Sequence, residues 1–85
     1  MSYNGWSNYE TWSVACYLQN DEYMYSCARN FARANTDETG AVPCGIYRDF
    51  VFLGFDDVCT WDNVNLADNS LNWDELDTLM SELAN

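Results

Sequence analysis

The stretch from Ser7 to Phe31 restricts the fold of this chain more than any other part. Its sequence, SNYETWSVACYLQNDEYMYSCARNF, is apolar and aromatic and is interrupted once by the polar Gln-Asn-Asp. Ser7 and Glu10 have the S-x-x-E spacing of a capping box, in which the serine caps a helix and the glutamate bonds back to the cap amide. We therefore predict two consecutive helices whose aromatic faces supply much of the core.

The first of these helices is predicted from Asn8 to about Gln19. The apolar residues that recur along it at helical spacing are Tyr9, Trp12, Ala15 and Cys16, with Val14 and Leu18 beside them. Asn20 is the predicted cap of the second helix, because Asp21 and Glu22 would follow in a first turn where acids complement the helix dipole. The short joint between the helices predicts an antiparallel hairpin or a sharp bend.

Two further helices are predicted in the second half of the chain. The third begins near Pro43, which suits a first helical turn, and ends near Gly54. Residues 46–53 are rich in β-branched and aromatic side chains, so a strand is the alternative for this segment. The fourth begins at Asn72, which can form a capping box with Glu75. Its predicted buried stripe consists of Trp73, Leu76, Leu79, Met80 and Leu83.

An irregular acidic loop is predicted between the third and fourth helices, over residues 55–70. Acids alternate with apolar residues in FDDVCTWDNVNLADNS, which suits a loop anchored by apolar side chains, a short strand or a single helical turn. A calcium loop is excluded, because no window combines the required ligand spacing with its glycine. The chain shows no repeat or linker, so residues 1–85 are predicted to form one small all-α domain of about four helices.

Charge is the most unusual property of the composition. The chain has 14 acids against three arginines, no lysine and no histidine, and its net charge is −11. Such a chain repels phosphate backbones and anionic membranes, so we expect neither direct nucleic-acid binding nor membrane binding. The expected partner is a basic surface, such as that of a nucleic-acid-binding protein. The alternative is that the acids only keep a small aromatic protein soluble.

The sequence predicts no metal site and no cofactor. Four cysteines, Cys16, Cys27, Cys44 and Cys59, include no C-x-x-C pair, and no histidine is available to complete a zinc site. We expect these thiols to be reduced and buried as small hydrophobes. The sequence also shows no signal peptide and no apolar run near the roughly 18 residues of a membrane helix, so a cytoplasmic location is expected.

The segment YNGWSNYETWSVACYLQNDE resembles the opening of a family of small proteins of bacteriophages and mobile elements, of the form NGW-NYETW-VALW--NDE. The later YRDFV and the terminal helix are similar to the rest of that family. The chain departs from the pattern at Ala15-Cys16-Tyr17, where the family favours Ala-Leu-Trp. The resemblance implies a phage or mobile-element setting, in the cytoplasm of a host cell, and carries no catalytic or binding residues.

Catalysis is not predicted, since the chain lacks histidine, a nucleophile motif, a glycine-rich phosphate loop and metal-ligand spacing. The leading hypothesis is an inhibitor of a host defence protein, of the anti-CRISPR or anti-restriction type, which presents carboxylates as a mimic of DNA or RNA. The acids predicted to act as phosphate surrogates are Asp56, Asp57, Asp62, Asp68, Asp74, Asp77 and Glu82.

Two alternatives to mimicry are left open by the sequence. One is a non-catalytic interaction module that binds through exposed aromatic side chains, with the acids serving solubility; the candidates are Tyr3, Trp6, Tyr23, Tyr25 and Trp61. The other is a homodimer that covers the apolar first helix, although repulsion at a net charge of −11 opposes it. Mimicry and an aromatic interface differ in salt dependence, because only the former should weaken steeply as salt rises.

Overall fold

Four helices form within residues 5–84, the part of the chain that the computed structural model describes. They are α1 (Tyr9–Asn20), α2 (Glu22–Ala34), α3 (Ile46–Val51) and α4 (Trp73–Leu83). No strand forms in this range, and an isolated antiparallel bridge pairs Cys59 with Asn65. The predicted all-α class is therefore confirmed, and the third segment is helix rather than strand.

Asn8, rather than Ser7, caps α1. Its Oδ1 accepts hydrogen bonds from the Thr11 amide at 2.9 Å and from the Thr11 hydroxyl at 2.6 Å. The groups of Ser7 bind the start of α4 instead: its amide donates to Glu75 Oε1 at 2.9 Å, and its hydroxyl accepts from Asn72 Nδ2 at 2.8 Å. The predicted capping box at Ser7 is wrong, because Asn8 takes the cap position and Ser7 is committed to α4.

Replacing Asn8 by alanine should lower the free energy of unfolding by about 1–2 kcal/mol, because the α1 cap is lost. The substitution also removes the bond from Asn8 Nδ2 to the Ser70 carbonyl, 2.6 Å long. Ser7→Ala is the matched control and should cost only about 0.5 kcal/mol, since it removes one exposed hydroxyl bond. Urea denaturation of both variants measures the difference. A loss in Ser7→Ala as large as that in Asn8→Ala would contradict this cap assignment.

A single residue, Asp21, joins α1 to α2. Its side chain accepts from the Met24 amide at 3.0 Å, so Asp21 is the cap of α2. Asn20 still belongs to α1, and its Nδ2 donates to the Cys16 carbonyl at 2.8 Å. The predicted cap at Asn20 is therefore wrong by one residue, because that side chain bonds back into the preceding helix. The short joint is confirmed, and the two helices pack against each other.

Helix α1 is buried on two sides. Thr11 and Val14, with Ala15 and Leu18, face the core and have no exposed surface. Ser13 is only 3% exposed, although it lies on the other side of the helix. Thr11 and Ser13 can be buried because their hydroxyl groups are hydrogen-bonded. Thr11 Oγ1 accepts from the Asn72 amide at 2.9 Å, and the Ser13 and Thr60 hydroxyls lie 2.8 Å apart.

The predicted buried side of α1 is wrong. The side that faces the core is the one that carries Thr11, whose hydroxyl is hydrogen-bonded there, and not the one that carries Tyr9 and Trp12. Tyr9 is 39% exposed, and Trp12 and Cys16 are half-buried. Of the predicted stripe only Ala15 is fully buried, together with its flanking Val14 and Leu18. The aromatic rings Tyr9 and Trp12 pair on the surface of the helix, with centroids 5.6 Å apart.

Helix α4 lies at the centre of the fold and packs against the other three helices. The predicted stripe is confirmed: Leu76, Leu79, Met80 and Leu83 are buried, and Trp73 is half-buried. Aromatic contacts extend the core, since the Phe50 ring lies 5.6 Å from that of Phe31 and 4.8 Å from that of Phe55. The Tyr47 ring lies 5.4 Å from that of Trp73.

Helix α3 is shorter than predicted. It starts at Ile46 because Gly45 has a left-handed φ of +81°, which ends the preceding turn. It ends at Val51, and the turn that follows leaves Phe52 and Leu53 55% and 67% exposed. The predicted helix end near Gly54 is therefore wrong, since α3 ends at Val51. Among the described residues, no helix has the length and apolarity to cross a membrane.

Candidate protein-binding surfaces

Helix α4 presents an acidic face. At about 100° per residue, Asp74, Asp77 and Glu82 fall within one arc of roughly 140°, on the side away from the buried leucines. Asp74 and Glu82 are exposed, and Asp77 is half-buried. The helix sequence, WDELDTLMSEL, contains no basic residue. The three predicted acids of α4 therefore share a face on which their own helix provides no opposite charge.

Asp77 also caps α3 from another helix. Its Oδ2 accepts from the Gly45 amide and its Oδ1 from the Tyr47 amide, both at 2.9 Å. These amides lie at the start of α3. The cap residue of α3 is Gly45, and no side-chain hydrogen bond from that position caps the helix. Hydrogen bonds to an ionised acceptor are stronger than those between neutral groups. The Asp77 carboxylate thus has a structural role that is independent of any partner.

A groove of about 350 Å³ lies beside the acidic face of α4. It is lined by Ala41, Val42, Pro43, Cys44, Asp74, Asp77, Thr78 and Ser81. The structure thus brings Asp74 and Asp77 together, next to the segment that leads into α3. Two carboxylates at one groove favour a cationic side chain of a partner over an anionic one.

The four predicted acids of the loop lie in different settings. Asp56 and Asp57 are exposed in the turns after α3, and the Asn65 side chain donates to the Asp56 carbonyl at 3.0 Å. The Asp68 carboxylate accepts from the Ser70 hydroxyl and, at 2.8 Å, from the Ser70 amide. These bonds lower the pKa of Asp68. Asp62 lies against α1, where its Oδ2 accepts from the Ser13 hydroxyl at 3.2 Å.

The contacts found for two of the arginines are with aromatic side chains of the same segment. Arg29 donates to the Tyr25 hydroxyl at 3.5 Å within α2, although its Nε is buried with no hydrogen-bond partner. The Arg48 guanidinium carbon lies 5.6 Å from the centroid of the Phe52 ring. Guanidinium groups are attracted to aromatic faces at such distances. The chain therefore already contains one arginine packed over an aromatic ring.

Several large apolar side chains are exposed outside the acidic face of α4. The most exposed are Tyr23 at 69%, Leu53 at 67%, Trp61 at 63% and Phe52 at 55%. The expected exposure of Tyr23 and Trp61 is confirmed, whereas Trp6 and Tyr25 are half-buried. Tyr3 lies outside the described residues. Tyr23 and Trp61 are exposed side chains of the residue types that frequently anchor protein interfaces.

The turn that carries Trp61 is anchored by Thr60, which is 5% exposed. The Thr60 amide donates to the Val64 carbonyl at 2.8 Å, and its carbonyl accepts from the Asn63 amide at 2.9 Å. Its hydroxyl accepts from the amides of Asp62 at 3.2 Å and Val64 at 3.3 Å. The exposed Trp61 indole is therefore carried by a turn whose buried anchor is the neighbouring Thr60.

The expectation that the thiols are buried is wrong. Cys44 and Cys59 are exposed, because they lie in the turn before α3 and in the loop bridge, and Cys16 and Cys27 are half-buried. All four are free thiols. Within residues 5–84, no group of three or more histidine, cysteine or acidic side chains is arranged to hold a metal ion.

Over residues 1–85 the chain matches the model of a family described as a family of unknown function (DUF7249), and it belongs to that family. No curated protein and no solved structure matches the chain. Membership of a family without an assigned chemistry is thereby confirmed. The phage or mobile-element setting stays a prediction.

Proposed function

We propose that this member of DUF7249 is a non-catalytic inhibitor that binds a basic, nucleic-acid-binding surface of another protein by imitating a polyanion. The expected target is a host defence protein of the CRISPR or restriction type, in the cytoplasm of a bacterial cell. The observation that carries the proposal is the acidic face of α4, where Asp74, Asp77 and Glu82 lie on one side of a helix without a basic residue.

The spacing of these charges supports mimicry. With a rise of about 1.5 Å per residue, the three carboxylates follow one another at roughly 4.5 Å and 7.5 Å along α4. Phosphates of one DNA strand follow at about 3.4 Å along the helix axis. Measured along the helix axis, the α4 charges are therefore spaced on the scale of one and two phosphate steps, while Asp77 and Glu82 also lie about 140° apart around that axis. Asp56 and Asp57 add exposed negative charge after α3.

Reversing Asp74 and Glu82 together to lysine should abolish capture of the partner at low salt, because each change replaces an attraction by a repulsion. Asp77 is left intact, since it caps α3. The measurement is recovery of nucleic-acid-binding proteins from bacterial lysate by the immobilised protein, eluted with rising salt and competed by duplex DNA. The folds of all variants are compared by circular dichroism.

Glu38→Lys combined with Asp49→Lys is the matched control, because both acids are exposed and the change in net charge is the same. This control should retain most of the capture. Equal loss in the two double variants would show that only net charge matters, and unchanged capture by the Asp74 and Glu82 variant would rule out the α4 face.

A second candidate is an interaction module that binds through its exposed aromatic side chains, and the exposure of Tyr23, Phe52 and Trp61 favours it. Tyrosine and tryptophan are frequent anchors of protein interfaces. Under this proposal the charge serves solubility. Capture that survives high salt and is not competed by DNA would favour the aromatic interface over mimicry.

A further inference from the structure

We propose that Tyr17, Trp61 and Asp62 form a binding site for one arginine side chain of the partner, and we call these three residues the arginine site. The guanidinium lies over the Trp61 ring and against the Asp62 carboxylate. The inference rests on the proposed function, since it specifies the chemistry by which a basic partner is recognised. It adds a surface on α1 that is distinct from the acidic face of α4.

The Trp61 indole is exposed and yet held in place. It is 63% exposed, and it packs against Tyr17 in a T-shaped arrangement with centroids 5.1 Å apart and an interplanar angle of 85°. A T-shaped pair covers at most one face of either ring, so one face of the indole stays open. A tryptophan face is the strongest aromatic binding surface for a cation in proteins.

Asp62 lies next to that indole because both residues rest on the same side of α1. Its Oδ2 accepts from Ser13, and Trp61 packs on Tyr17. Ser13 and Tyr17 are four residues apart, so their Cβ atoms are about 5–6 Å apart on the helix surface. The carboxylate and the ring are therefore close enough for a single guanidinium to contact both.

The electrostatic potential at the arginine site is negative, because two carboxylates lie near it. Burial and the charge of Asp62 raise the pKa of the Cys16 thiol, and burial and the charge of Asp21 raise the pKa of the Tyr17 phenol. Two carboxylates thus act on neighbouring groups of this α1 surface from separate positions. The surface is complementary to a cation.

The arginine site is preorganised by the turn around Thr60. The Thr60 amide donates a hydrogen bond within the turn, and the Thr60 carbonyl and hydroxyl accept hydrogen bonds from its amides. Asn63 adopts a left-handed φ of +64° in the same turn. Preorganisation lowers the loss of conformational entropy on binding. Arginine fits better than lysine, because its planar guanidinium can stack on a ring and bond a carboxylate at the same time.

The test is an NMR titration of the ¹⁵N-labelled full chain with two capped tripeptides, acetyl-Gly-Arg-Gly-amide and acetyl-Gly-Lys-Gly-amide. The Trp61 indole signal is assigned from its loss in Trp61→Phe. We expect the arginine peptide to shift this signal and the Asp62 amide, and to bind about two- to fivefold more tightly than the lysine peptide. Trp61→Leu should remove the preference, and Asp62→Asn should weaken the arginine peptide more than the lysine peptide.

Absence of a Trp61 shift with the arginine peptide, or equal affinities for the two peptides, would overturn the proposal. A Trp61 shift that depends on protein concentration alone would overturn it in favour of a second copy of the chain. Trp61 is exposed, so its variants should stay folded, and their amide spectra verify this. The result is independent of the α4 charge reversals, so failure of the arginine site and failure of the α4 face can be distinguished.

Discussion

Replacing Tyr47 by alanine is expected to lower the free energy of unfolding by about 3–5 kcal/mol, as for other large aromatic residues in cores. Tyr47 has no exposed surface, and its ring packs on Trp73 at 5.4 Å. Small domains are stable by only roughly 5–15 kcal/mol. The variant should therefore show a large fraction of unfolded chain in urea concentrations at which the wild type is folded, as measured by circular dichroism.

Tyr47→Phe separates the ring from its hydroxyl. The hydroxyl donates to the Leu66 carbonyl at 2.6 Å in a buried position, and the phenylalanine variant leaves that carbonyl without this partner. We expect a loss of about 1–3 kcal/mol, since a buried acceptor is left unpaired. Burial raises the pKa of the Tyr47 phenol, so the hydroxyl remains a donor at neutral pH.

The two Tyr47 variants together test how the irregular loop is attached. Equal losses in Tyr47→Ala and Tyr47→Phe would mean that the bond to Leu66, rather than the packing of the ring, supplies the stability. A neutral Tyr47→Phe would mean that the loop is held by its apolar anchors alone. Val64 and Leu66 are 8% and 0% exposed and are the anchors available for that role.

The helices could be predicted from the sequence because their signals are local. In α4 the cap Asn72 binds the Glu75 amide at 3.1 Å, and the stripe from Leu76 to Leu83 follows the helical period. The second bond of that predicted capping box does not form, because Glu75 accepts from Ser7 instead. That partner lies 68 residues away, and no local pattern indicates it.

The buried polar residues of α1 could not be predicted for the same reason. Thr11 and Ser13 resemble surface positions in the sequence, yet they are 0% and 3% exposed. Each is buried because its hydroxyl meets a partner from the last third of the chain, Asn72 and Thr60. A hydroxyl that is hydrogen-bonded can be buried at little cost, whereas an unpaired one cannot.

The sequence predicts which acids belong to the candidate site, but it does not predict which of their carboxylates are exposed and which are hydrogen-bonded within the fold. Counting acids identified Asp74 and Glu82, which are exposed on one face of α4. It could not distinguish them from Asp77, whose carboxylate binds amides 30 and 32 residues away. The sequence names both Trp6 and Trp61 as candidates for exposure, and it does not indicate which of the two is the more exposed. Trp61 is exposed and Trp6 is half-buried, because the exposure of Trp61 depends on the turn at Thr60.

Replacing Asp77 by alanine is expected to lower the free energy of unfolding by about 2–3 kcal/mol, because hydrogen bonds to a charged acceptor are lost from two backbone amides. Asp74→Ala is the matched control: it removes the same charge from the same helix, and Asp74 is exposed. It should cost no more than about 0.5–1 kcal/mol, the contribution of an acid in the first turn of a helix. Urea denaturation measures both.

The difference in stability between Asp77→Ala and Asp74→Ala determines whether Asp77 stabilises the fold or is available to a partner. If Asp77→Ala is much less stable than Asp74→Ala, any loss of partner capture by Asp77→Ala must be corrected for unfolded chain before a contact is inferred. Asp77→Asn retains one acceptor oxygen and should be intermediate. Equal stabilities of Asp77→Ala and Asp74→Ala would contradict the cap assignment and would leave the half-buried Asp77 carboxylate available to a partner. Loss of capture by a fully folded Asp74→Ala assigns a direct contact in either case.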